Sequence, residues 1–211
     1  LIPVLIFLSC DSNPENTSNE LKANIILSEM TLDEKIGQMA QINITVIAKG
    51  PSKWKSSYPL AIDPKRAKKA IKDFKIGSII NTINGKALKP SNWRESISQI
   101  QNFAIDSTRA KIPVIYGIDG IHGATYAEGA TMFPQQINIA ASWNKQNAYN
   151  MAKVTAYETR AIGIPWNFSP ILDLGTATRN PSQYETFGEE PLKVGTISKS
   201  MHVSNTHLPH Q

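Results

Sequence analysis

The sequence predicts an α/β fold in which a parallel sheet is covered by helices, and three observations carry that prediction. Short, almost wholly apolar segments rich in β-branched residues, such as Ile76-Gly77-Ser78-Ile79-Ile80, read as strands buried on both faces. Amphipathic helical segments stand between them, which is the alternation of a βα repeat. No glycine-rich phosphate loop follows any of these strands, and Gly117, Gly120 and Gly123 lack the dinucleotide spacing. A barrel and a doubly wound sheet both remain open, with the nucleotide-binding form of the latter disfavoured.

The chain opens with the apolar run Leu1 to Cys10. It is far shorter than the roughly 20 residues that span a bilayer but suits the h-region of a signal peptide. Phe7-Leu8-Ser9-Cys10 resembles a bacterial lipobox, and on that reading Cys10 is the lipidated first residue of the mature protein. A buried free cysteine ending an N-terminal strand is the alternative. Asp11 to Glu20 has no apolar residue, and residues 11–27 are expected to form a flexible tether. The implied location is the bacterial cell envelope, as a periplasmic or outer-membrane lipoprotein that meets the membrane through its lipid anchor only.

Thr31-Leu32-Asp33-Glu34 has the form of a capping box, followed by Leu32, Ile36, Met39 and Ala40 on one helical face that is expected to pack on a core. Asp63 and Pro64 open a second helix as N-cap and first helical residue. Its buried stripe is Ala67, Ala70, Ile71 and Phe74, with Lys65, Arg66, Lys68, Lys69 and Lys72 facing water. A strand follows at 76–80. A third helix opens at Ser91 and carries Trp93, Ile97, Ile100 and Ala104 at helical spacing, leading into the strand Ile112 to Ile118. A fourth starts near Asn144, buries Ala148, Met151, Ala152 and Thr155, ends at Gly163, and precedes the strand Ile164 to Phe168.

With 41% hydrophobic and 18% charged residues in 211, the chain has the composition of a globular protein with a core. The net charge of +5 is explained by lysines concentrated between Lys53 and Lys75, so no nucleic-acid partner is expected. A single cysteine excludes an internal disulfide, and no Cys/His group has zinc spacing. A full eight-stranded barrel takes roughly 250 residues, so on the barrel reading the chain has room for only part of the circuit. Asn205 to Gln211, without periodicity, is expected to close no element.

Polar residues at the carboxyl ends of strands are the candidates for chemistry. Asp119 follows an apolar strand and precedes Gly120-Ile121-His122-Gly123, where small residues admit a ligand. A carboxylate there can accept hydrogen bonds from two adjacent sugar hydroxyls, although spacing alone also permits a turn or cap role. His122 reads as structural, Asp173 as a loop residue, and Trp166 as core packing rather than a sugar platform. Arg179 with Glu185 forms either a substrate-binding pair or an ion pair bracing the loop. No Gly-x-Ser-x-Gly elbow exists, so hydrolytic chemistry has to come from carboxylates, and no pair at glycosidase spacing is identifiable.

Several segments together resemble the N-terminal domain of glycoside hydrolase family 3, the β-glucosidase and exo-β-glucanase family. They are Thr31 to Met39, Ile112 to Gly123, Gly129 to Gln136, Tyr157 to Asp173 and Glu185 to Pro191. The resemblance implies a partial TIM-type (β/α)8 barrel over residues 28–211, truncated before the nucleophile. It also implies an α/β sandwich domain beyond, commonly the source of the acid/base. Asp119 would then grip the terminal sugar. The family's aspartate nucleophile and Lys-His pair have no counterparts, since neither His202 nor His207 follows a lysine. Ser182 stands where the family has a sugar-holding arginine, and Arg179 either substitutes for it from nearby or only braces the loop.

The implied activity is cofactor-free, retaining hydrolysis of terminal β-D-glucosyl residues in β-glucosides or oligosaccharides. It is expected of the chain together with its missing C-terminal part, and this part alone is expected to be inactive. The alternatives are a β-N-acetylglucosaminidase of the same family and a non-catalytic carbohydrate-binding lipoprotein. Asp119-Gly120-Ile121-His122-Gly123 departs from the Asp-x-Glu-Gly-Gly pattern of the former.

Overall fold

The computed structural model describes residues 14–52 and 54–206, so the signal peptide and Cys10 readings lie outside the described residues. Four short strands form one parallel sheet in the order β1-β2-β3-β4: Gln41–Asn43, Ser78–Ile80, Ile115–Ile118 and Trp166–Asn167. Each strand pairs with the next in sequence, with Ile42 opposite Ile79, Ile79 opposite Tyr116, and Gly117 opposite Trp166. A doubly wound sheet reverses its strand order at a switch point. This sheet does not reverse, and its helical crossovers make it the N-terminal arc of a (β/α)8 barrel.

The helices are α1 (Pro14–Glu29), α2 (Leu32–Gln38), α3 (Pro64–Lys68), α4 (Pro90–Ser107), α5 (Gln136–Ala141), α6 (Lys145–Ala161) and α7 (Pro191–Thr206). Their starts follow local chemistry. Thr31 and Glu34 form the reciprocal capping box, Asp63 accepts from the Lys65 and Arg66 amides, and Asn144 accepts from Gln146. α3 continues into a π turn at Lys69–Asp73, and α6 ends just before Gly163 at φ +91°, a backbone conformation that favours glycine.

The main core lies between the sheet and α3 and α4, where Ile79, Tyr116 and Ile118 meet Ile71, Trp93, Ile97 and Ile100. A second cluster joins α5, α6 and α7 through Ile139, Met151, Ala152, Phe187, Val194 and Met201. The stripes expected on α4 and α6 are buried as the periodicity requires.

Four expectations are corrected. Residues 14–27 are helical rather than an irregular tether; Pro14 sits at the start, where its missing N–H costs nothing, and Leu21, Lys22 and Ala23 favour a helix. The apolar face of α2 points outward, with Leu32 72%, Ile36 59% and Met39 87% exposed. The inner face is instead Glu34, which pairs with Arg109, and Gly37, where a Cβ would lie 2.5 Å from the Lys75 carbonyl oxygen. Phe74 is 63% exposed because it caps the π turn instead of continuing the stripe, and Arg66 turns back to donate to the Ala48 carbonyl at 2.8 Å. Residues 205 and 206, the described part of the segment expected to close no element, belong to α7; Val194, Ile197 and Met201 pack this helix on α6.

Candidate functional site

The loops leaving the carboxyl ends of β2, β3 and β4 converge on one face of the sheet. Asp119 emerges directly from β3 and is half-buried. The side chain of Asn167, at the end of β4, fixes the next residue: its Oδ1 accepts from the Gly120 amide at 2.8 Å and its Nδ2 donates to the Gly120 carbonyl at 3.4 Å. Only glycine fits that approach comfortably, since a Cβ would sit 3.1 Å from the Asn167 amide oxygen.

Burial pushes the Asp119 carboxyl above its ordinary value, and the neighbouring Glu185 carboxylate adds to the shift. Tyr126, also half-buried, has its phenol raised by burial and then by the charges of Asp119 and Glu185, with an opposing hydrogen bond from the Asp119 backbone. Its carbonyl accepts from the Leu88 amide at 2.9 Å and from Trp93 Nε1 at 2.8 Å, which anchors this loop to α4. Glu185 comes from a 3-10 turn at Gln183–Glu185, where Gln183 Nε2 donates to the Gly175 carbonyl at 2.8 Å. Asp119 and Tyr126, both on the segment that follows β3, and Glu185, from the segment that follows β4, thus bear on one another from two loops. Their oxygens suit a ligand rich in hydroxyl donors.

Arg179 is not part of this group. It is exposed, makes no hydrogen bond or ion pair among the described residues, and contributes nothing to the Asp119 shift. The Arg179–Glu185 pair is therefore not formed; the Glu185 carboxylate instead accepts a hydrogen bond from the Tyr184 hydroxyl, which raises that phenol. Ser182 is half-buried and precedes the turn, its amide donating to Asn180 Oδ1 at 3.0 Å. His122 packs by its backbone, its carbonyl accepting from the Phe133 amide at 2.8 Å, and Asp173 is exposed. Trp166 is 40% exposed rather than enclosed in the core; it lies 4.5 Å from the Phe168 ring, and both rings cover Gly117. Among the described residues no three His, Cys, Asp or Glu side chains are grouped to hold a metal ion.

Sequence reasoning assigned no role to Tyr126, Gln136 or Asn167. Gln136 lies within a matched segment, which was its only signal. A singly wound barrel arc with carboxylates gathered at its strand ends defines a (β/α)-barrel protein with its site at the carboxyl ends of the strands. Residues 31–207 match the glycosyl hydrolase family 3 N-terminal domain, and the chain belongs to that family.

Among relatives, it is 36% identical over 173 residues to a lysosomal beta glucosidase of Dictyostelium discoideum, covering 79% of this chain and 20% of that one. It is 29% identical over 177 residues to a periplasmic beta-glucosidase of Salmonella typhimurium, covering 83% and 19%. Among solved structures, an exo-1,3/1,4-beta-glucanase from a Pseudoalteromonas species superposes with a TM-score of 0.71 at 25% identity, over 89% of this chain and 22% of that one. The chain thus spans about a fifth of the length of these relatives.

Proposed function

We propose that this chain is the sugar-gripping part of a retaining, exo-acting β-glucosidase. The observation that carries the reading is Asp119, a half-buried carboxylate at the end of β3 with Tyr126 and Glu185 beside it, in a chain of family 3. The geometry suits a terminal glucose whose adjacent hydroxyls donate to the Asp119 carboxylate. In a retaining mechanism a second carboxylate attacks the anomeric carbon, a covalent glycosyl-enzyme forms, and an acid/base protonates the leaving oxygen and then activates water. We assign both of those groups to the chain beyond Gln211. No cofactor takes part in this scheme.

We also propose a cell-envelope location with Cys10 as the lipid-bearing residue. The periplasmic relative and the lipobox-like Phe7-Leu8-Ser9-Cys10 support it. Among the described residues no helix is long and apolar enough to cross a membrane.

A carbohydrate-binding protein without catalysis is the second reading, favoured by Ser182 at the place where the family has an arginine and by the exposure of Arg179. Release of nitrophenol from p-nitrophenyl β-D-glucoside separates the two, measured on this chain and on a protein extended through the length of the relatives. Activity confined to the extended protein, with KM raised by Asp119→Ala, supports the glucosidase; glucose binding without activity in either supports the second reading.

A further inference from the structure

Gln136, the first residue of α5, has no exposed surface. A buried primary amide is costly unless its donors and acceptor are used, and here three partners use it. Its Nε2 donates to the Glu185 carbonyl, while its Oε1 accepts from the Ile171 amide at 3.3 Å and the Ser169 hydroxyl at 3.4 Å. Segments following β3 and β4 and the Gln183–Glu185 turn therefore meet on one side chain. The turn has its own internal bonds: Gln183 Nε2 reaches the Gly175 carbonyl and Thr186 Oγ1 donates to the Gln183 carbonyl, each at 2.8 Å. The bonds from Gln136 do not make the turn; they dock it against the start of α5 and the segment that follows β4.

We infer that Gln136 is a positioning residue: by fixing the backbone of Glu185 it sets that carboxylate opposite Asp119, so that the two carboxylates share the hydroxyls of one terminal sugar. This rests on the glycosidase reading above. Two adjacent carboxylates repel unless donors lie between them; the Tyr184 hydroxyl already donates to Glu185, and a pair of neighbouring sugar hydroxyls supplies the further donors between it and Asp119. The sugar at this site is accordingly one with a free vicinal diol facing β3. Glu185 is a binding group in this scheme, and Gln136 acts only through it.

The test uses the extended protein with p-nitrophenyl β-D-glucoside, and calorimetric glucose binding as a second readout. Glu185→Gln is expected to raise KM and the glucose Kd about tenfold with a smaller change in kcat, the mark of lost binding held in both ground and transition states. Gln136→Met, equal in length and apolar, is expected to do the same alone, yet to add less than about twofold in the Glu185→Gln background. Its lowering of the thermal midpoint should be equal in both backgrounds. Gln136→Asn, one methylene too short to reach, replaces it should the Met variant not fold. A Gln136 variant that weakens binding by the same factor in both backgrounds is acting on the fold alone and overturns the inference, as does a Glu185→Gln protein with unchanged KM and Kd. An unsubstituted protein that neither turns over nor binds glucose sinks the glycosidase reading and this inference with it.

Discussion

Arg109 and Glu34 form a two-bonded ion pair that joins α2 to the loop between α4 and β3. Arg109 Nε donates to Glu34 Oε1 at 3.0 Å and Nη2 to Oε2, while Nη2 also donates to the Glu29 carbonyl at 2.9 Å. Glu34 completes the capping box at Thr31 with the same carboxylate. The Arg109 hydrogen bond, followed by that from the Thr31 amide, lowers its pKa from 4.5 to about 2. A folded-state pKa below the unfolded one means stability present above pH 4.5 and lost as the pH falls towards 2. The urea midpoint should therefore fall across that window, and Glu34→Gln should remove that part of the fall while being less stable at neutral pH.

Close backbone approach at the entry to β2 makes Gly77 intolerant of a side chain. A Cβ there would sit 2.1 Å from the Gln38 carbonyl oxygen, and the Gly77 amide is already bonded to the Gly37 carbonyl at 3.0 Å. Gly77→Ala should cost about 1–3 kcal/mol, since the contact is with backbone that cannot swing aside. Gly195 lies within α7 in open space, with nothing but its own stretch of helix backbone within 4 Å of where a Cβ would stand, so Gly195→Ala should instead gain about 1 kcal/mol from helix propensity. Chemical denaturation of the two variants reads both signs.

Trp93 links the core to the loop that carries Tyr126. Its ring is fully buried, meets Tyr116 edge-on at 5.6 Å, and its Nε1 donates to the Tyr126 carbonyl. Trp93→Ala should cost about 3–5 kcal/mol from the cavity and lost burial. Trp93→Phe should cost less, because the Tyr126 carbonyl keeps the Leu88 amide as a donor. Thermal unfolding of both variants checks the order.

These elements differ in how far local sequence announces them. Asp63-Pro64 and Asn144 mark helix starts that the structure reproduces, because an N-cap is a local bond between neighbours. β2 and β3 are mainly apolar and carry the buried Ile79, Tyr116, Gly117 and Ile118, whereas Gln41-Ile42-Asn43 of β1 is polar and three residues long, and its strand character comes only from pairing with β2. On α2 the period revealed a face but not which way it turns; the Glu34–Arg109 pair and the space available only to Gly37 decide that. At the site, Asp119 was legible from its place after a strand. Asn167 and Gln136 were not, since their bonds to Gly120 and Glu185 cross 47 and 49 residues of sequence.

The carboxyl of Asp119 carries a stability cost that follows from its position. Burial, and then the Glu185 charge, raises its pKa from 3.8, so ionising it disfavours the folded state. A raised folded-state pKa means that the favourable contribution is complete below the unfolded value and disappears as the pH rises through the folded one. Asp119→Asn should therefore raise the thermal midpoint at neutral pH, and the gain should shrink as the pH falls towards 3.8, where the native side chain is itself protonated. The same substitution should weaken glucose binding, because an amide offers one acceptor oxygen where the carboxylate offers two. Higher stability with poorer binding would mark Asp119 as a residue kept for its ligand; equal or lower stability at neutral pH would mean that the carboxylate is satisfied within the fold and serves as a turn residue.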